Sequence, residues 1–486
     1  MSPEPMAAVQ EQAHSQKNVP LCVDLDGTLI RSDLLIESAL ALLAKNPLLI
    51  FAMIAWLLHG KAYLKQEIAR RVEFDPTTLP YNLALIEWLQ SQRPLRPIIL
   101  CTASDSRLAQ NVASHVGLFS DVLASDGERN LSGHKKAAEL VARYGERGFD
   151  YVGNASVDLA VWKHAHAAIV MAPTPALAKA AAKVSTVERV FHTPKAGLSA
   201  WLKALRVHQW IKNVLVFLPL LASHRVLDVV ALSQTAVAFL CFGLCASSVY
   251  LTNDLLDLSS DRQHHRKRNR PFAAGTLPLA SGPVVAVALL IAGLALAWQI
   301  SHIFFGVLIS YFVLTTAYSV RLKRVMMLDV VVLAMLYTTR ILAGAAALHT
   351  TPSFWLLAFS MFIFLSLAMI KRYTELLAAQ KAGKVKASGR GYDVEDIPLI
   401  QSLGGSSGYL AVLVLALYID STAGEALYRH PHYLWMLCPL LLYWISRTWA
   451  IAHRGIMHDD PVIFAVMDNV SRVLLALAAI IVAVSI

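Results

Sequence analysis

Tyr250-Leu251-Thr252-Asn253-Asp254-Leu255-Leu256-Asp257-Leu258-Ser259-Ser260-Asp261 closes an apolar stretch that begins near residue 230. Continued as a helix, it puts Asp254, Asp257 and Asp261 on one face, with Asn253 at the edge. Three carboxylates stacked in this way repel one another unless cations lie between them. Mg²⁺ bridging to a diphosphate meets that demand, since it takes one or two carboxylates and completes its shell with phosphate oxygens. A solvated helix end explains one such Asp easily and three in register poorly. Next come Arg262, His264, His265, Arg266, Lys267, Arg268 and Arg270, the densest basic run in the chain. It reads as a positively charged cytosolic loop and, through Arg266 and Arg270, as a cover for the same diphosphate. Adjacent His264 and His265 point apart on a helix, which argues against a metal site there.

The composition agrees with a membrane setting. Of 486 residues, 56% are apolar and 16% charged, against roughly 25% charged in soluble domains, and mean hydropathy is +0.52. This excludes a disordered chain, a fibrous protein and an ordinary soluble enzyme. Apolar stretches near 209–223, 230–252, 282–299, 302–319, 328–347, 353–371, 406–420, 433–451 and 465–486 predict an all-α polytopic membrane domain of about nine transmembrane helices over 209–486. With the N-terminus inside, the inside loops and flanking helix ends carry about sixteen Lys and Arg against about two outside, Arg225 and Arg429. The expectation is an integral protein of a bacterial inner membrane, its N-terminal domain cytoplasmic and its C-terminus on the opposite side. The net charge of +10 is then loop charge, with no nucleic-acid partner. The polar tail 1–19 has no signal-peptide pattern. Five cysteines form no CxxC pair and no disulfide framework.

Residues 20–195 read as a soluble α/β domain. Leu21–Val23, Ile98–Cys101, Tyr151-Val152 and Ala168–Met171 are short buried-strand runs separated by helical patterns, so a parallel, Rossmann-like sheet is expected. A helical cap occupies about 34–90, with an insert at 34–72. Within it Pro47 to Leu58 carries no charge and is too short to span a bilayer. That run is expected to be the buried face of the cap, the alternative being a surface resting on lipid. Residues 196–208 read as a linker. At the end of the first strand, Val23-Asp24-Leu25-Asp26-Gly27-Thr28 places two carboxylates two apart, able to share one Mg²⁺. Asp24 is placed to attack phosphorus. Asp26 is placed to protonate the leaving oxygen and then activate water.

On that motif the domain resembles the haloacid dehalogenase-like phosphatases. The resemblance implies that Thr102 holds the transferring phosphate and that Lys136 neutralises it, Lys135 being the alternative register. It also implies that Gly153-Asn154-Ala155-Ser156-Val157-Asp158 completes the metal site through Asn154 and Asp158. Asn154 stands where the family usually has Asp, which removes one negative charge beside the metal.

The membrane half is similar to the UbiA superfamily of intramembrane prenyltransferases, through Asn253-Asp254-x-x-Asp257-x-x-x-Asp261. A second acidic motif departs from the common pattern. Tyr318-Ser319-Val320-Arg321-Leu322-Lys323 is followed by the single Asp329, with Lys323 in place of some of the metal's charge. Polar residues in or at the ends of spans default to function: Arg206, Gln209, Lys212 and Asn213 in the first, Arg340 inside the fifth, Lys371 and Arg372 ending the sixth. Together with Asp459-Asp460-Pro461, these residues look most like the decaprenyl-phosphate phosphoribosyltransferase branch. That likeness implies a Mg²⁺ in each domain and a phosphoribosyl diphosphate donor. It further implies a polyprenyl phosphate acceptor in the membrane, and the fused phosphatase-like domain, on the same cytosolic side, is expected to dephosphorylate the product. The alternative keeps the fold and takes a prenyl diphosphate donor to alkylate an aromatic or other acceptor, beside a regulatory, non-catalytic phosphatase-like domain. The sequence leaves the oligomeric state open.

Overall fold

The computed structural model describes residues 19–126, 131–172, 174–193, 196–383, 385–386, 390–457 and 460–486, and not the side chains of 423 and 425. The tail 1–18 and Asp459 lie outside the described residues. The chain packs as two units, neither continuous in sequence: residues up to Leu205 with Tyr250–Val285, and Arg206–Val249 with Ala286–Ile486.

In the first unit a six-stranded sheet has the order β3-β2-β1-β4-β5-β6, with every neighbouring pair parallel. The strands are β1 (Leu21–Val23), β2 (Ile98–Asp105), β3 (Asp121–Ser125), β4 (Asp150–Gly153), β5 (Ala167–Ala172) and β6 (Thr186–His192). The strand order reverses direction beside β1, where open α/β sheets leave a crevice at the strands' C-terminal ends. The apolar runs of β1, β2, β4 and β5 are buried, as a sheet covered on both faces requires. β3 and β6 lie where no strand was expected, and both are edge strands.

Between β1 and β2 lie α1 (Leu34–Lys45), α2 (Leu49–Leu58), α3 (Lys61–Arg71) and α4 (Leu83–Gln92). Asp33 caps α1 by accepting from the Ile36 amide at 3.1 Å. α4 sends Leu85, Trp88 and Leu89 into the sheet core. α2 departs from expectation. It presents Met53 inward, but Phe51 and Leu58 are 70% and 84% exposed, so this run is not the buried face of a cap. α5 (His134–Tyr144) follows β3.

The second aspartate-bearing segment belongs to the same unit. α6 (Val229–Leu256) runs 28 residues and stops before Asp257, whose φ of −95° and ψ of 12° break the helix. α7 (Leu258–Gln263) begins after it. Helical hydrogen bonds nonetheless run through this turn, from the Asp257 amide to the Asn253 carbonyl at 2.9 Å and from the Asp261 amide to the Asp257 carbonyl at 2.8 Å. Arg262 of α7 donates to both Glu37 carboxylate oxygens, at 2.6 and 3.1 Å, and to the carbonyls of Ala273 and Thr78.

The second unit is helical: α8 (Ser281–Ile300, entering from the first unit), α9 (His302–Val320), α10 (Leu328–Ala347), α11 (Phe354–Lys381), α12 (Ile397–Ile419), α13 (Leu437–His453), α14 (Pro461–Met467) and α15 (Asn469–Ser485). Among the described residues seven helices are long and apolar enough to cross a membrane, or eight if the α14–α15 pair is one span. About nine were expected. The first expected span is the short helical segment Val207–Ala222, part of it 3₁₀ with Pro219 near its break. The last is bent by 75°, because Asp468 leaves the helix to cap α15, accepting from the Ser471 amide at 2.8 Å.

The Arg262–Glu37 pair is buried, with side chains 9% and 7% exposed. Glu37→Ala leaves the guanidinium without its counter-charge and is expected to cost about 3–5 kcal/mol. The check is the thermal unfolding of the solubilised chain, in which replacing both residues by apolar ones of similar volume restores most of the loss.

Candidate active site

The ends of β1, β2 and β4 bring one polar cluster together. Lys136, on the first turn of α5, is buried and donates to Asp24 at 2.6 Å and to the Tyr151 hydroxyl at 2.8 Å. Lys135, the alternative register, is exposed. Burial opposes the ammonium, but Asp24 and Asp158 outweigh it and hold its pKa above the ordinary value. Thr28 donates to Asp24 at 3.3 Å. Asp26 accepts from the Leu34 amide at 2.7 Å, from Ser104 at 2.7 Å and from Thr102 at 3.4 Å. Burial, with the charges of Asp33 and Asp24, pushes the Asp26 carboxyl up to about 7. A carboxyl poised there can give and take a proton at neutral pH.

Asp158 is turned to another task. One oxygen accepts from the amides of Asn154 and Ala155 at 2.9 Å and the other from Tyr151 at 3.3 Å, so it ties down its own loop. Burial and Asp24 push it up to about 6. The Asn154 carboxamide packs over Gly27, where a Cβ would meet its nitrogen at 2.1 Å. The φ of +73° at Gly27 also favours glycine. Ser104 and Tyr151 were not singled out in the sequence. Ser104 was legible as the partner of Thr102, two residues on along a strand and so on the same side.

The second cluster spans the turn between α6 and α7. Asp254 and Asp261 are buried, and both accept from one Arg270 nitrogen, at 3.0 and 2.6 Å. Burial holds the Asp261 carboxyl above its usual range against the pull of Arg270. An all-oxygen pair converging on one cationic nitrogen fits a hard cation such as Mg²⁺. Among the described residues no three His, Cys, Asp or Glu side chains gather into a metal-ligating group. Arg266 is exposed. Arg262, which was not singled out, is committed to Glu37.

The second unit holds two further clusters. In one, Lys212 pairs with Asp460, and Lys371 lies 3.8 Å from the same oxygen. Arg340 is buried, donating to Asn213 at 2.9 Å and to the Tyr311 hydroxyl at 3.0 Å. The Asn213 side-chain nitrogen is buried without a hydrogen-bond partner among the described residues. Gln209 is nearby in sequence and bonds His208 at 3.1 Å. Arg206 sits at a left-handed φ of 51° at the start of the segment. In the other cluster, Asp329 is fully buried between Arg372 and Tyr392. Arg372 also donates to Glu375 and, at 2.9 Å, to Tyr318. Arg390 reaches Tyr318 at 3.1 Å. Asp329, Arg372 and Tyr318 thus satisfy one another, and the structure uses them as a packed brace.

An apolar cavity of about 880 Å³ opens in the same unit, lined by Leu215, Phe359, Leu415, Leu441, Trp444 and Val462 among others. Leu215 follows Asn213 by two residues, and Val462 follows Asp460 by two. One wall of the cavity therefore shares its backbone with the cationic cluster.

The sequence profile of the UbiA prenyltransferase family matches residues 214–467. The uncharacterized protein y4nM of Sinorhizobium fredii is 35% identical over 469 residues, 95% of this chain and 90% of that one. Decaprenyl-phosphate phosphoribosyltransferase of Mycobacterium tuberculosis is 33% identical over 298 residues, 60% of this chain and 95% of that enzyme. A UbiA homologue of Archaeoglobus fulgidus, solved bound to GPP and Mg²⁺, aligns over 58% of this chain and 99% of its own with 15% identity and a TM-score of 0.46.

The contrast between the two neighbouring lysines gives a direct check. Lys136→Met strands a buried Asp24 and is expected to destabilise the chain by about 3 kcal/mol. Lys135→Met should stay within about 0.5 kcal/mol. Both are read from denaturant unfolding followed by near-UV circular dichroism.

Proposed function

Because the chain belongs to the UbiA prenyltransferase family, we propose that it is an intramembrane transferase moving phosphoribose from phosphoribosyl diphosphate to a polyprenyl phosphate, and that its α/β domain dephosphorylates the product. The observation that carries this reading is a cationic cluster beside an apolar cavity, with Lys212 and Asp460 within a few residues of the cavity-lining Leu215 and Val462. Lys212, Lys371 and Arg340 against Asp460 leave a surplus of two positive charges. The Asn213 amide adds a donor awaiting an acceptor. A lipid with an anionic head and a hydrocarbon tail matches both halves. Relatedness to a decaprenyl-phosphate phosphoribosyltransferase supports the same acceptor class.

Asp254 and Asp261, with Asn253 and Asp257 beside them in sequence, would hold Mg²⁺, which when bound supplies charge neutralisation to a departing diphosphate. Arg270, bridging the two carboxylates at rest, donates to diphosphate oxygens in the loaded site. The ribose C1–O bond to the diphosphate breaks as a lipid phosphate oxygen forms the new C1–O bond, and pyrophosphate leaves. The product keeps its 5-phosphate. In the α/β domain Asp24 attacks that phosphorus, and Asp26 gives its proton to the ribose oxygen that leaves. Water deprotonated by Asp26 then cleaves the aspartyl-phosphate. Thr102 and Lys136 hold the transferring phosphate's charge, and oxygens of Asp24 and Asn154 would hold that domain's Mg²⁺. We place both sites on the cytosolic side, where the basic loops also belong. Covalent linkage raises the local concentration of the second site for the lipid product.

Membranes containing the full chain, supplied with labelled phosphoribosyl diphosphate and polyprenyl phosphate, should form a lipid-soluble labelled product identifiable by mass spectrometry. Asp254→Asn and Asp261→Asn should each lower its rate by about 100-fold or more. Consumption of an allylic prenyl diphosphate instead, with no ribosylated lipid, would establish the alternative donor. Asp24→Asn should leave transfer intact while the 5-phosphorylated lipid accumulates. Unchanged product in that variant would reduce the α/β domain to a docking module.

A further inference from the structure

α2 is apolar all the way round. Its inner stripe, Leu49, Met53 and Trp56, packs against Leu42 and Ile68 of the neighbouring cap helices. Its outer face carries Leu48, Ile50, Phe51, Ile54, Leu57 and Leu58, each between 42% and 84% exposed. A helix without a polar face is stable in water only when something covers it. Ten residues make a rod of about 15 Å, half of the roughly 30 Å hydrocarbon thickness, so it cannot cross a membrane.

Two observations identify the cover. The first is position within the unit. Glu37 on α1 is locked to Arg262 on α7, and α7 follows the span α6 after the single residue Asp257. Gly275, in the loop after α7, packs so closely on Arg31 that a Cβ there would meet it at 2.7 Å. The cap is thus pinned to the segment by which the chain leaves a membrane helix, and only Asn46, Pro47 and Leu48 separate α1 from α2. The second is chemistry. From Asn46 to Leu58 the chain has no charged side chain. Along α2 only the Trp56 indole N–H can donate. A protein interface keeps a polar rim with paired hydrogen bonds, whereas acyl chains ask for none. Just beyond the helix stand His59, the exposed Lys61 and the exposed Tyr63, the cationic and aromatic flank of a segment seated at a lipid–water boundary.

We propose that α2 is a monotopic element lying in the bilayer interface, its outer face among the acyl chains, so that the cap rests on lipid. This surface does not depend on which reaction the chain catalyses.

The test uses the full chain, with Ile54→Cys or Phe51→Cys labelled with the fluorophore NBD and reconstituted into vesicles of phosphatidylethanolamine and phosphatidylglycerol. Lys163→Cys, on the exposed surface of the α/β domain, is the control. The five native cysteines are buried, and their background is measured on the unsubstituted chain. Lipids spin-labelled near the glycerol backbone should quench NBD at 51 and 54 several-fold more than at 163, with blue-shifted emission at both. Equal quenching at all three sites overturns the proposal. So does a probe shielded from aqueous iodide yet untouched by the lipid quencher, because a protein surface, such as a second copy, would then be the cover.

Discussion

A carboxylate removed from water must be met by a cation or give up its charge, and this condition organises both units. Asp24 faces Lys136, Glu37 faces Arg262, Asp254 and Asp261 share Arg270, Asp329 faces Arg372, and Asp460 faces Lys212. Each pair joins segments distant in sequence, from 9 residues for Asp261 and Arg270 to 248 for Lys212 and Asp460. In a medium that cannot solvate ions these pairs specify which helix ends meet, whatever they contribute to net stability.

The pairs differ in how completely they are satisfied, and that difference separates brace from site. Around Asp329 every oxygen and every guanidinium nitrogen has a partner, through Tyr392, Glu375 and Tyr318. Such a network rigidifies and offers little to a ligand. At Asp460 one carboxylate stands between two lysines, and next to Lys212 along the chain the Asn213 amide accepts from Arg340 while its nitrogen has no partner among the described residues. At Arg270 one nitrogen is divided between two acids. Unequal pairings of this kind leave charge available for an incoming anion or cation.

Much of the fold was readable, and the misses have physical causes. β1, β2, β4 and β5 announce themselves because both faces are buried. β3 and β6 stand at the two edges, with patterns of mostly exposed and half-buried residues, and carry no continuous apolar run. The acidic motif was visible as residues, and its three-and-four spacing agrees with Asp254 and Asp261 meeting on one side at Arg270; the turn at Asp257 between α6 and α7 was not legible. Asp24 and Asp26 could be named from a local motif because they follow the first strand directly, whereas Thr102 and Lys136 came from the family resemblance. The Arg372–Asp329 and Arg262–Glu37 pairs could not be named, since nothing local in either partner's surroundings encodes the other. The outward face of α2 stayed ambiguous for a simpler reason: apolar periodicity says that a helix is covered, not by what.

α1 belongs to both acidic centres of the first unit. The backbone N–H of its first residue, Leu34, holds Asp26, and the carboxylate of Glu37, three residues along, holds the arginine next to Asp261. One helical turn is stiff, so the two grips keep a fixed separation and neither loosens while the other stays put. The cap helix is thus a shared support, one turn of it bearing on both acidic centres at once.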